Sequence, residues 1–293
     1  MRLLSILKYI VSHPLIRKNK TGGILRFIKW QLTFRFSPYP ILYPFTKKST
    51  LVINKGMTGA TGNLYCGLHE FADMGFLLHF LRPDDLFVDI GANVGSYTVL
   101  ASAHVGAKSI SFEPVPRTFS YLIRNIAVND INVQVQVYNM ALGAQKGTIA
   151  FTSDLDTANH VAIAGDQATI EVSVDTLDAF LAEEERTILI KIDVEGFETE
   201  VMNGADSTLL NKSLQAIIIE LNGSGERYGY SENAIQRKLE QAGFMCYAYD
   251  PFNRELTKSI GPGAHNSIYI RDVDMVKERL AGADFVEILN ERF

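Results

Sequence analysis

Two acidic residues close short apolar runs, and each is followed by a glycine turn: Asp89 in "LFVDIGANVGSYT" and Asp193 in "TILIKIDVEGFE". A carboxylate at the lip of such a turn attracts a cationic ligand and repels phosphate oxygens. Three occupants are usual there. A phosphate-binding loop needs Gly-Lys-Ser/Thr after its glycines, and "GANVGSYT" has no lysine. A dinucleotide fingerprint wants G-x-G-x-x-G, whereas here Gly91 and Gly95 bracket Asn93 at the middle position. S-adenosylmethionine, the third, has no phosphate and carries an ammonium and a sulfonium. Asp89 suits it, and Gly91 and Gly95 leave room for its methionyl group. The competing reading of Asp89 is an N-cap of the following helix.

Glu113 ends the next run, "KSISFE", where a bidentate acceptor can grip the two hydroxyls of a ribose. A nicotinamide enzyme would use the same device, and a solvated strand end before Pro114 would need no ligand at all. Asn93 and Ser96 are candidates to hydrogen-bond the cofactor, Ala141 and Leu142 of "NMALG" to touch its adenine, and Glu70 of "GNLYCGLHEF" to reach it from upstream.

For the reacting end, Asp193 and then Glu195 are the candidates, unless both merely cap the helix after Gly196. Lys191 is buried by pattern and suited to pairing with a neighbouring carboxylate. Glu220 and Asn222 close "IIIELNG", and with Asp193 they form an oxygen set that suits Mg or Mn, although no ligand spacing compels an ion and the metal-free reading is preferred. The polar stretch "SDLDTANHVAIAGD", with Asp156, Asn159 and His160, lacks periodicity and is the candidate acceptor-binding loop; His160 or His265 could serve as general base. Tyr228 and Tyr230 could stack on sugar rings or simply cap the sheet.

These residues need a scaffold that brings strand ends together. From residue 86 onward, β-rich runs alternate with helical patterns: "LFVDI", "KSISFE", "VQVQVYNMAL", "TILIKIDV" and "QAIIIEL" are separated by helices, with "FMCYAYD" and "NSIYIRD" as a final pair. Such alternation means an α/β fold with a mostly parallel sheet covered on both faces, whose ligand sits beyond the carboxyl ends of the strands. "GTIAFTS" and "ATIEVSV" read as an inserted antiparallel hairpin.

"FVDIGANVGSYT", "SFEPVPRTFSYLIRN", "NMALG", "VDTLDAF", "LIKIDVEGFETEVMNGA" and "AIIIELNG" together resemble the FkbM family of S-adenosylmethionine-dependent methyltransferases over about residues 67–225. The resemblance implies a Rossmann-like, seven-stranded sheet with its last strand antiparallel. It also implies a segment folding over the cofactor before the sheet, and methyl transfer to a hydroxyl of a sugar, a bacterial glycan or a glycosylated natural product. A nicotinamide-dependent oxidoreductase or epimerase is the rival, but it would need a Tyr-x-x-x-Lys pair at a suitable place. A non-catalytic cofactor-binding scaffold is the third reading.

The 293 residues carry a net charge of -5, unevenly spread. Up to Lys55 there are 11 Lys or Arg and no acid, and the first carboxylate is Glu70. The expected partition is a basic, α-helical extension over residues 1–60 and a catalytic domain over 61–293. "MRLLSILKYIVSHPLIRKNK" is too short and too charged to span a bilayer and makes a poor signal peptide. Together with "ILRFIKWQLTFRF" it reads as amphipathic segments that either lie on an anionic membrane or pack as a lid. Nucleic acid is disfavoured, because the basic stretch has no recognised fold around it and the body is acidic. Cys66 and Cys246 make neither a metal spacing nor a disulfide framework, which suits a cytoplasmic protein, peripheral at the inner membrane face if the extension docks there.

Overall fold

The computed structural model describes residues 3–37, 39–155, 158–259, 261, 263 and 266–293. The chain opens with α1 (Leu3–Ser12), α2 (Lys20–Phe36), a hairpin of β1 (Ile41–Thr46) and β2 (Ser49–Ile53), then α3 (Thr58–Cys66) and α4 (Phe71–Phe80). The sheet begins at β3 (Leu86–Ile90), followed by α5 (Ser96–Val99), which runs on as a π-helical turn over Leu100–Val105. Then come β4 (Lys108–Phe112), α6 (Pro116–Val128), β5 (Val135–Tyr138), β6 (Ala141–Leu142), β7 (Gly147–Thr152), β8 (Thr169–Asp175) and α7 (Asp178–Leu181). The second half holds β9 (Ile188–Ile192), α8 (Glu198–Asn203), α9 (Asp206–Leu210), β10 (Leu214–Glu220), α10 (Glu232–Gln241), β11 (Met245–Asp250), β12 (Glu255–Lys258), β13 (Asn266–Ile270) and α11 (Val273–Ala281). A short pair, β14 (Glu287–Ile288) and β15 (Glu291–Arg292), closes the chain.

The main sheet has the order β12-β11-β13-β10-β9-β3-β4-β5. From β5 to β10 all neighbours are parallel, and β13 runs antiparallel to both β10 and β11. This is the expected Rossmann-like α/β sheet with its antiparallel last strand. The eighth strand is an addition: β12 pairs antiparallel with β11 at the edge, and its polar "ELTK" gave no strand signal. Two other differences have local causes. "VQVQVYNMAL" does not run as one strand, because after Tyr138 the chain turns away and β6 joins the β7–β8 hairpin in a separate three-stranded sheet. The N-terminal extension is not all helical: Ile41 to Ile53 form a hairpin, whose β1 carries Pro44, a residue confined to sheet edges.

The strands alternate between two cores, as period-2 geometry requires. Leu86, Val88 and Ile90 of β3 join Ile188, Ile190 and Ile192 of β9 in one apolar cluster. Phe87 and Leu189 face the other, which contains Ile10, Leu15, Ile16, Phe27 and Trp30 of the extension as well as Phe76, Phe80 and Phe293. That core continues across residue 60 without a break. The hairpin is pinned to α6 as well: Asn125 and Asn129 accept from the Val52 and Thr50 amides at 2.7 and 2.8 Å. No helix among the described residues is long and apolar enough to cross a membrane.

Candidate active site

Parallel pairing sets the ends of β3, β4, β9 and β10 side by side, and beyond them lies a cleft of about 250 Å³. Asp89 and Lys191 are directly paired across β3 and β9, and both fall on the sheet face covered by the N-terminal helices. Each is only 1% and 3% exposed. The Asp193 amide donates to the Ile90 carbonyl at 3.0 Å, which closes the two strand ends together.

That closeness explains Gly91. Its φ is +80°, and a Cβ there would sit 1.9 Å from the Asp193 carbonyl oxygen. The glycine is required by the neighbouring strand end, in addition to any room it leaves a ligand. Gly95 adopts the left-handed φ of +86° that favours glycine, a Cβ there would also meet the Leu122 side chain at 2.5 Å, and Gly95 itself does not line the cleft. Between them, Asn93 adopts φ +51° and its Oδ1 accepts from the Val94 amide at 2.8 Å.

Asp89 makes the capping bond and also borders the cleft. Its Oδ2 accepts from the Thr98 amide at 3.2 Å and from Thr98 Oγ1 at 2.6 Å, a cap on the first turn of α5, while the residue also lines the cleft. Oδ1 is therefore what Asp89 has to offer a ligand. Burial raises its pKa, against the pull of Lys191 and Thr98. Glu113 is similarly divided: Oε2 accepts from the Asn93 amide at 3.0 Å and Oε1 from the Val115 amide at 2.9 Å. A carboxylate oxygen accepts two bonds, so each retains capacity toward the cleft. Burial lifts this carboxyl to about 7 despite the two amides.

Glu70 enters from the start of α4 and accepts from Tyr97 Oη and Asn266 Nδ2, both at 2.8 Å. Ser96 Oγ accepts from Asn63 Nδ2 at 3.1 Å, tying α3 to the glycine turn. Ala141 and Leu142 line the cleft beside Met140. Lys191 lies at the centre of this ring. Its Nζ is 2.7 Å from Asp193 Oδ2 and 4.8 Å from the centre of the Tyr97 ring. The surrounding charges of Asp193, Glu70 and Asp89 hold it protonated despite its burial.

At the reacting end, Glu195 has φ +54° in the tight turn after β9, and Gly196 packs against the Ser224 carbonyl. The turn is capped from within α8: Glu198 Oε1 accepts from the Val194 and Gly196 amides at 3.2 and 3.1 Å. Asp193 and Glu195 are thereby released from the capping role and line the cleft. Burial, then Asp193 and Glu198, raise Glu195 to about 7. Burial, then the neighbouring Asp193 and Glu195, raise Glu220. Asp193, Glu195 and Glu220 bring ligand oxygens within 4.8 Å of one another, a spacing that would admit a divalent ion as readily as shared protons.

His160 stands apart. Its Nε2 is 3.3 Å from Asp166 Oδ2 and its Nδ1 is 2.8 Å from the Ala158 carbonyl, so both ring nitrogens are engaged and the residue does not line the cleft. Its neighbour Asn159 does, beside Phe151 of β7. Asp156 and His265 lie outside the described residues. Tyr228 donates to the Val161 carbonyl at 2.6 Å and packs edge-on against Phe197, 5.8 Å between centroids. Three lining residues carried no strong sequence signal. Tyr97 follows the glycine turn and Phe197 follows Gly196, so an aromatic in the first turn after each strand was the available clue; His69 lies with Glu70 in "GNLYCGLHEF", the segment expected to fold over the cofactor.

Taken together, the described lining contains six carboxylates, Glu70, Asp89, Glu113, Asp193, Glu195 and Glu220, against the single cation Lys191. A pyrophosphate would find no arginine and one lysine already paired. A cationic nucleoside would find acceptors throughout.

Residues 89–246, more than half of the chain, match the methyltransferase FkbM domain. Over 183 residues the chain is 30% identical to Methyltransferase 1 of Beauveria bassiana, covering 53% of this chain and 72% of that one. It is 28% identical over 165 residues to the hexuronic acid methyltransferase AglP of Haloferax volcanii, covering 56% and 66%. The crystal structure of methyltransferase FkbM from Methylobacillus flagellatus superposes with a TM-score of 0.44 at 15% identity, over 73% of this chain and 55% of that one. This chain thus matches about half the length of that solved protein. The acid-ended strands, the two glycine turns and the match across them agree: the chain belongs to the FkbM methyltransferase family.

Proposed function

We propose that the protein transfers a methyl group from S-adenosylmethionine to a hydroxyl of a sugar or glycan. The observation that carries this reading is the acidic lining of the cleft, six carboxyl groups facing one internally paired lysine. When bound, the sulfonium cofactor supplies an electrophilic methyl group. The chain's own residues do the rest. Glu113 can accept the ribose hydroxyls through the lone pairs its amide donors leave over. Asp89 and Asp193 offer acceptors at the ends of adjacent strands, and Ala141 and Leu142 offer apolar surface to the adenine.

Transfer to an alcohol also needs a base, and a carboxylate is most useful when its pKa lies near the working pH. Glu195 meets that condition at about 7, and it faces the cleft where His160 does not. It takes the hydroxyl proton, while Lys191 holds Asp193 in place. Alignment of acceptor oxygen and methyl carbon supplies much of the acceleration. Phe197, with Tyr228 packed behind it, and Asn159 from the inserted hairpin border the same end. An aromatic face beside an amide suits a sugar ring. The relative named as a hexuronic acid methyltransferase supports that acceptor class. Cytoplasmic placement fits the two buried, unpaired thiols, which burial pushes up.

Incubating the protein with labelled cofactor and cell-surface glycan extracts tests this directly. A 14-dalton increment on a sugar, lost in Glu195→Gln, is the expected result. Label appearing only on protein, lipid or nucleic acid fractions would overturn the acceptor class.

A further inference from the structure

Helix α2 is apolar on two opposite sides. Phe27 and Trp30 pack into the core, each 6% exposed. On the far side Leu25 is 58% exposed, Ile28 45%, Leu32 52% and Phe36 80%. At 3.6 residues per turn these four fall within a strip about 80° wide that extends about 16 Å along the helix. Lys29 borders the strip on one flank and Arg35 on the other, and among the described residues neither forms an ion pair. Arg26, on the inner side, is spent on the Tyr65 carbonyl at 2.9 Å. Just beyond the helix, Tyr39 and Leu42 are also exposed.

A strip of large side chains held out in water between cations has a matching partner in an interface that is apolar below and anionic above. The remainder of the chain adds a direction. Residues 1–55 carry 11 basic groups and no acid, while the rest carries 17 basic and 33 acidic, so an anionic surface attracts this end and repels the other.

We infer that the outer face of α2 docks the protein on an anionic lipid bilayer, lying in the headgroup region without crossing it. The two roles considered for the extension are then divided between faces: the inner side of α2 packs on the body and the outer side meets lipid. α2 packs on α3, whose Gly59 lines the cleft. The docking proposal is independent of which hydroxyl is methylated.

Sedimentation with sucrose-loaded vesicles of phosphatidylcholine alone, or of phosphatidylcholine with phosphatidylglycerol, tests it on the full chain. The wild-type protein is expected in the pellet with the anionic vesicles only. A cation near such a surface contributes about fivefold in partition, so Lys29→Glu with Arg35→Glu should weaken binding by more than about tenfold. Leu32→Ser with Phe36→Ser should weaken it independently of charge. All four residues are exposed, and unchanged melting curves would confirm that both variants fold. Trp30 faces the core, so its emission should not move on docking. Three results would each overturn the proposal: wild-type protein that ignores both vesicle types, variants that pellet as it does, or variants that only convert a soluble dimer to a monomer, which would assign the face to a second copy of the chain.

Discussion

Replacing Lys191 by methionine removes the only lysine or arginine among the described residues lining the cleft while preserving most of the side chain's length. The ammonium it deletes is 3% exposed, sits 2.7 Å from Asp193 and lies in the field of Glu70 and Asp89. Breaking one half of a buried ion pair costs about 3–5 kcal/mol, because the partner is left charged and desolvated. Asp193 retains 28% side-chain exposure, so water relieves part of that loss and the lower end, about 3 kcal/mol, is expected. The cost must also depend on pH. With the lysine gone, the surrounding carboxyls hold their protons more tightly, so acidification neutralises the uncompensated charge and the deficit shrinks. Urea unfolding of wild type and Lys191→Met at about pH 8 and about pH 5.5 measures both effects. A deficit below about 1 kcal/mol at the higher pH, or one of equal size at both, would refute the idea that Lys191 balances this ring.

Further outcomes follow from the same geometry. Gly91→Ala should destabilise the fold by more than about 2 kcal/mol, from its left-handed φ and the 1.9 Å approach to the Asp193 carbonyl, and thermal melting reads this. Glu113, Glu195 and Glu198 are raised from 4.5 to about 7 in the folded protein. The unfolded chain therefore releases these protons first, and ligand-free stability should fall as pH rises from 4.5 toward 7; a melting temperature that climbs across that window would contradict the burial of these groups. If Glu195 accepts the hydroxyl proton without help from an ion, exhaustive chelation should leave the methylation rate unchanged, while Glu195→Gln should lower it by about a hundredfold or more. A rate abolished by chelation and restored by Mg or Mn would instead give Asp193, Glu195 and Glu220 to a metal.

The parts of this molecule legible in the sequence are those governed by local pattern. Apolar runs such as "LIKI" and "AIIIE" could only be central strands, and their terminal acids then had to meet beyond one edge of the sheet. Asp89, Glu113 and Asp193 were found that way, and all three line the cleft. What local pattern could not give was the direction in which a side chain is drawn by a distant partner. His160 looked like a base from its type and its polar loop, yet Asp166 and the Ala158 carbonyl turn it aside and leave Asn159 at the cleft. Capping by Asp193 and Glu195 is the competing reading of those two acids in the sequence, and nothing local shows that Glu198 reaches back from inside the helix to do it. The edge strand β12 is too polar to show, and β1 is masked by Pro44. Helix α2 hid its geometry differently: with apolar residues on both sides, its hydrophobicity has no single direction to read.

The central claim is electrostatic, that this cleft is built for a cationic, phosphate-free nucleoside. Calorimetric titration with S-adenosylmethionine and with NAD, repeated on Asp89→Asn, tests it most directly. The account requires binding of the sulfonium compound alone, weakened about tenfold or more by the substitution. Tight binding of NAD with none of the sulfonium compound, or an unchanged affinity once Asp89 is neutral, would contradict it.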